Sequence, residues 1–238
     1  MGNVQKQNQL RKSWRCSKTE KPNFQNPNPI VCPPTWFFDN LAFIGDEVVG
    51  CFLIKTENGL VLLDCMNPDE RCKLLIEQGI KQLGESVDNL HAIVISHGHG
   101  DHFGNAAYFQ KQYHAKIYMS KTDYEFAKNM PNALPWEPVQ FHVDEFLQDH
   151  GLLTFGSIQL HSIFTPSHTK GCFSFIIPVT DEGRPHTMAL WGGSGIMPDT
   201  DKNEYHQSLI KFTNVCKAFI MGENGYHYYE QQFYDYVE

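Results

Sequence analysis

Apolar and polar positions change rhythm several times along the chain. Residues 1–35 show no sustained period and are rich in Lys, Asn, Gln and Pro, which predicts an extended or partly disordered N-terminal arm ahead of a folded domain over 36–238. From Trp36 onward the apolar runs LAFIG (41–45), VVGCFLIK (48–55) and GLVLLDC (59–65), parted by polar turns, predict a meander of antiparallel strands. The stretch NPDERCKLLIEQGIKQLG (67–84) then switches to a helical period. Cys72, Leu75, Ile76, Ile80 and Leu83 share one face, with Asn67 as expected N-cap, Pro68 at the first helical position and Gly84 as the stop.

HAIVIS (91–96) is continuously apolar, the pattern of a strand covered on both faces. Beyond it the pattern predicts a helix near 103–113, a strand AKIYM (115–119) and a helix KTDYEFAKNM (121–130). A proline-bearing loop (131–139) follows, which reads either as a wall or lid of a cleft with Trp136 as an apolar contact or as an ordinary connection. Strands are expected at VQFHV (139–143), GLLTFG (151–156), SIQLHSIF (157–164), GCFSFIIPV (171–179) and TMALWGG (187–193). A helix around 203–213, a strand KAFIMG (217–222) and a C-terminal helix from about Tyr226 close the chain. Strands in two sets with interleaved helices predict an α/β fold, two sheets packed together and covered outside by helices.

Composition narrows the function classes. The 238 residues, 41% hydrophobic and 19% charged, suffice for one substantial core. A formal net charge of −8 argues against nucleic-acid or anionic-membrane partners. No apolar run approaches the length of a membrane span, and the N-terminus lacks the apolar centre of a secretory signal. These features together predict a cytoplasmic protein; its oligomeric state is not legible. Seven cysteines without a CxxC pair fit free, mostly buried thiols.

The densest chemistry lies in VISHGHGDHFGN (94–105), which crowds His97, His99, Asp101 and His102 directly after a buried strand. Imidazole nitrogens and carboxylate oxygens are ligands that zinc favours. His97 and His99, two apart on extended chain, can point one way, and Asp101 and His102 on the next bend can face a second ion. The end of a strand before a helix is also where α/β proteins place their chemistry.

SHGHGDH resembles the H-x-H-x-D-H signature of the metallo-β-lactamase superfamily. GLVLLDC is similar to that family's strand ending in a buttressing aspartate, here Asp64. TPSHTKGCFSF resembles its T-P-G-H-T-x-G-S segment, with Thr165 and His168, and LWGGSG resembles the segment that carries Cys, Asp or Ser in different branches. The resemblance spans roughly 36–227. It implies a four-layer αββα sandwich with the site along one edge of the two sheets. It further implies that His97, His99 and His168 hold a first zinc and that Asp101 and His102 hold a second.

Ser194 falls where other branches carry a metal-binding Cys or Asp, a feature similar to the third subclass of metallo-β-lactamases, which places a C-terminal histidine on the second zinc. The chain departs from the family after KAFIMG, which runs into ENGYH. Asn224 occupies the nearest match to the last ligand and His227 lies three residues later; His227, Glu223 or water is left to complete that ion's shell. Asp64, Thr165, Ser194 and Asn224 are expected to fix ligands or contact substrate.

The implied activity is a zinc-dependent hydrolase with two ions, iron or manganese being the alternative metals. A metal-activated hydroxide, oriented by Asp101, attacks an amide, lactone, ester or thioester carbonyl. Two other readings stand beside it: an iron-dependent oxidoreductase of the same fold, resembling persulfide dioxygenases, and a non-catalytic metal-binding module.

Overall fold

A computed structural model describes residues 28–130, 138–220 and 226–228. One sheet has seven strands in sequence order: β1 (Val31–Phe38), β2 (Leu41–Asp46), β3 (Gly50–Thr56), β4 (Gly59–Leu63), β5 (Leu90–Val94), β6 (Lys116–Met119) and β7 (Glu145–Phe146). Its first four strands are antiparallel neighbours, and β4 to β7 pair in parallel. The second sheet pairs β8 (Gly151–Phe155), β9 (Ile158–Phe164), β10 (Phe173–Asp181) and β11 (Arg184–Leu190) antiparallel. Strand β12 (Tyr226–Tyr228) then adds in parallel to β11.

Among the described residues, three separate cores explain why so many strands read as apolar throughout. On β2 to β5, alternate side chains enter different cores, because successive residues of a strand face opposite ways. Ala42, Ile44, Leu53, Leu62 and Ile93 pack with Cys72, Ile76 and Ile80 of α1 (Glu70–Gln82). Their neighbours Leu41, Phe43, Phe52, Val61, Leu63 and Val94 point inward to Leu160, Phe175, Ile177 and Met188 of the second sheet. The outer face of that sheet, with Ile163, Ile176, Ala189 and Trp191, is covered by Phe212 and Cys216 of a C-terminal helix. Helix, sheet, sheet, helix is the αββα order. The remaining helices are α2 (Gly100–Phe103), α3 (Ala106–Tyr113), α4 (Lys121–Lys128) and α5 (Lys202–Ile220), the last being that C-terminal cover.

Several expected elements are corrected. The first sheet begins at Val31, ahead of Trp36, because Val31–Phe38 pairs with Leu41–Asp46. Asp69, not Asn67, caps α1, its side chain accepting from Cys72 N at 2.7 Å. The helix near 103–113 is two helices, α2 and α3, with Asn105 between them. VQFHV forms no strand: Gln110 Oε1 accepts from the amide of His142, and Phe141 packs into the helix-side core. The expected strand KAFIMG is helical through Ile220, and the chain at Tyr226–Tyr228 is a strand instead of a helix start.

Cys16, Trp136, Glu223 and Asn224 lie outside the described residues. The six described cysteines are buried thiols. No helix among the described residues is long and apolar enough to cross a membrane.

Candidate metal centre

The C-terminal ends of four strands meet at one edge of the sandwich. Strand β4 runs into Asp64, β5 into Ser96–His99, β9 into the loop carrying His168, and β11 into Gly192. Phe173 N donates to Ser96 O at 2.9 Å, tying the sheets together where the histidines emerge. Asp64 and Met66 both adopt left-handed backbone, with φ of 64° and 59°. For residues with a Cβ this is a sparsely populated conformation that persists where surrounding bonds over-determine it. Here Asp64 N and Cys65 N donate to Val94 O and His102 O, at 2.9 and 2.8 Å.

His97, His99 and His168 each direct a ring nitrogen to a common region, the three atoms lying within 4.8 Å of one another. The backbone determines which nitrogens are available. His97 Nδ1 sits 2.9 Å from Gly192 O, and His168 Nδ1 sits 2.7 Å from Gly195 O. A carbonyl only accepts, so both Nδ1 atoms carry the proton and both Nε2 atoms present lone pairs. Fixing a ligand histidine through its other N–H is the usual second layer of a metal site.

His97 Nε2 is buried and has no hydrogen-bond partner among the described residues. His99 Nδ1 lies 2.9 Å from His168 Nε2, close to the ~3.3 Å edge of a tetrahedron with zinc–nitrogen bonds of about 2.0–2.1 Å. The rings are kept neutral. Burial first, then the neighbouring imidazoles, lowers His97 well below the ordinary histidine value. Burial and His168 bring His99 down to about 4, and burial lowers His168 as well. Neutral imidazole is the form that binds metal.

Asp101 and His102 stand beside this trio on α2. Asp101 Oδ1 is buried without a hydrogen-bond partner among the described residues, while Oδ2 lies 3.8 Å from His102 Nε2. The other nitrogen, His102 Nδ1, is held 2.8 Å from Asp64 Oδ2. The same carboxylate accepts from Ser96 N at 2.7 Å and Ser96 Oγ at 2.8 Å, so the expected buttress does touch the motif. The His102 and His97 rings are in contact, their centroids 3.8 Å apart and their planes inclined at 45°. Among the described residues, only the His97, His99 and His168 donors converge as a group of three.

The other expected residues act at a distance or lie out of view. Thr165 Oγ1 lies 2.7 Å from Ser174 Oγ, which accepts from Gly192 N at 3.1 Å. Thr165 therefore reaches His97 through two intermediaries. Ser194 O accepts from Tyr205 Oη at 3.0 Å, fastening its loop to α5. The main chain of His227 pairs with Ala189 on β11, the strand that leads to Gly192.

Sequence inspection missed Ser96, Ser174 and above all Asp123. Asp123 is buried and accepts from Gly98 N, Gly171 N and Thr169 Oγ1 at 2.7, 2.8 and 2.6 Å. Burial pushes its carboxyl up to about 6, opposed by those three donors. A signal existed. Ser120 and Asp123 have the spacing of a capping box, and Ser120 does cap α4.

A sequence profile of the metallo-beta-lactamase superfamily matches residues 44–181, more than half of the chain. The chain belongs to that superfamily. Among curated relatives it is similar to the uncharacterized protein YobT of Bacillus subtilis, 31% identical over 137 residues, covering 54% of this chain and 56% of that one. It is also similar to BaeB of Bacillus velezensis, described as a probable polyketide biosynthesis zinc-dependent hydrolase, 30% identical over 104 residues. That match covers 43% of this chain and 41% of BaeB. The chain thus spans about half or less of these relatives. In fold it resembles BJP-1, a subclass B3 metallo-beta-lactamase of Bradyrhizobium japonicum, with a TM-score of 0.68 and 22% identity. That likeness covers 77% of this chain and 74% of BJP-1, and the observed sandwich is the superfamily's fold.

Proposed function

We infer that the protein is a zinc-dependent hydrolase of small molecules carrying an amide, lactone, ester or thioester carbonyl. One observation supports this most. Two histidines donate from Nδ1 to backbone carbonyls, and His97 Nε2 is left buried without a partner among the described residues, facing two further imidazoles. An unpaired buried polar atom costs about 1–3 kcal/mol, so such an arrangement is expected where a bound ligand offsets it. Three neutral imidazoles converging on one region, one pair of nitrogens 2.9 Å apart, make the donor set of a zinc site that keeps one position open.

Zinc, when bound, supplies a Lewis acid that polarises a carbonyl and lowers the pKa of water towards neutrality. The chain's own residues supply the rest. Asp101 orients the attacking water through the carboxylate oxygen that lacks a partner among the described residues, and receives its proton. Its charge is near enough to raise His99 and His168 against the effect of burial. Asp64 and Ser96 lock His102 in position beside it. A second ion is proposed on Asp101 and His102, with His227 as its candidate third ligand. The buried thiols fit a reducing compartment, which is why the cytoplasm is proposed as the location.

The test is metal content of protein purified without added metal, together with turnover of a panel of β-lactams, lactones, esters and thioesters. Zinc and hydrolysis are expected. Stoichiometric iron with oxygen consumption, or no turnover of any substrate after zinc is restored, would replace this reading with the oxidoreductase or the binding module. Asp101→Asn is expected to keep zinc on the three histidines and to lower turnover at least about 100-fold. Turnover within a few-fold of the parent protein would remove Asp101 from the chemistry.

A further inference from the structure

The ligands of the candidate centre come from two loops far apart in sequence, and a single carboxylate joins them. Asp123, at the start of α4, is 1% exposed. Its Oδ2 accepts from the amide of Gly98, the residue between His97 and His99, and from the hydroxyl of Thr169, which follows His168. Its Oδ1 accepts from the amide of Gly171 in the same loop as His168. The approach is close on both sides. A Cβ on Gly98 would lie 2.9 Å from Asp123 O, and one on Gly171 would lie 2.5 Å from Asp123 Oδ1. No Lys, Arg or His is among these three partners; each is a neutral donor fixed in a ligand loop.

We propose that Asp123 is a positioning residue that holds the His97–His99 loop and the His168 loop at the spacing zinc requires. A carboxylate suits this task because both oxygens only accept, and between them they serve two loops at once. An amide of the same shape cannot. The Asp123→Asn change would keep one oxygen and turn an NH2 group towards a backbone N–H, placing donor against donor on one of the two loops. The inference rests on the zinc reading of the trio. It differs from that reading in predicting a graded loss of metal affinity from a residue that binds no metal.

The test uses the full chain and zinc in competition with a chromophoric chelator, alongside thermal melting of the metal-free protein. Asp123→Asn is expected to weaken zinc binding by about 10- to 100-fold per folded molecule, the usual effect of removing a group that orients ligands. Thr169→Val, which removes one donor without changing shape, is expected to weaken zinc several-fold and leave melting nearly unchanged. Zinc affinity within about twofold of the parent in folded Thr169→Val and Asp123→Asn proteins would overturn the proposal. Should Asp123→Asn fail to fold, unchanged affinity in Thr169→Val alone would overturn it. Parent protein that binds no zinc would instead overturn the hydrolase reading, so the two failures are distinguishable.

Discussion

His99→Ala is expected to abolish hydrolysis and to remove zinc from the first site while the domain stays folded. The reason lies in where the side chain sits. His99 is buried within the site, outside all three apolar cores, and follows the end of β5 without belonging to the sheet. It is one of the three converging histidines, and its Nδ1 lies 2.9 Å from His168 Nε2. With two imidazoles left, the three-histidine zinc site cannot form, and loss of the ion removes both the Lewis acid and the ordering of the nucleophile. Circular dichroism and melting of the metal-free variant should match the metal-free parent. Retained turnover in a variant that has lost zinc would contradict the mechanism.

The second large effect concerns the scaffold. Gly192→Ala is expected to destabilise the metal-free protein by about 3 kcal/mol or more, since overpacking of a tight site costs this much when backbone must move. Its Cβ would stand 1.8 Å from Phe173 O and 3.1 Å from Cys172 Sγ, where β10 and the chain after β11 cross. Gly192 also supplies the carbonyl that fixes the His97 tautomer, so zinc affinity should fall with stability. Gly183→Ala is the control. Gly183 lies in the turn between β10 and β11 with φ of +74°, so an alanine there carries backbone strain of its own, but nothing lies within 4 Å of its added Cβ. A melting temperature for Gly192→Ala no lower than that of Gly183→Ala would refute the packing argument.

Much of the fold was legible because period-2 alternation between two cores leaves strands apolar on both faces, as in LAFIG and GLVLLDC. The failures have physical causes. KAFIMG reads as a strand on its own, yet Tyr205, Leu209, Phe212 and Cys216 already form a helical stripe on Trp191 and Ile176, and that packing carries the helix through Ile220. Tertiary contact overrides a short apolar run. VQFHV fails as a strand for a related reason, since a side chain of α3, Gln110, binds its backbone in place of a sheet neighbour.

The site divides in the same way. The crowding of His97, His99, Asp101 and His102 is local and visible, while His168 was reached only through resemblance to a known family. The groups that fix the rings, Gly192 O and Gly195 O, are backbone atoms that any sequence would supply. Asp123 was hidden because an acidic residue three positions after a serine cap already has an ordinary helical explanation.

The most direct measurement is X-ray absorption at the zinc edge on the full chain loaded with one equivalent of zinc, compared with His97→Ala. The parent protein should show histidine scattering with about three nitrogens at about 2.0–2.1 Å and no sulfur at about 2.3 Å, and the variant should lose that signature. A sulfur shell, or an unchanged spectrum in His97→Ala, would mean that His97, His99 and His168 do not hold the metal.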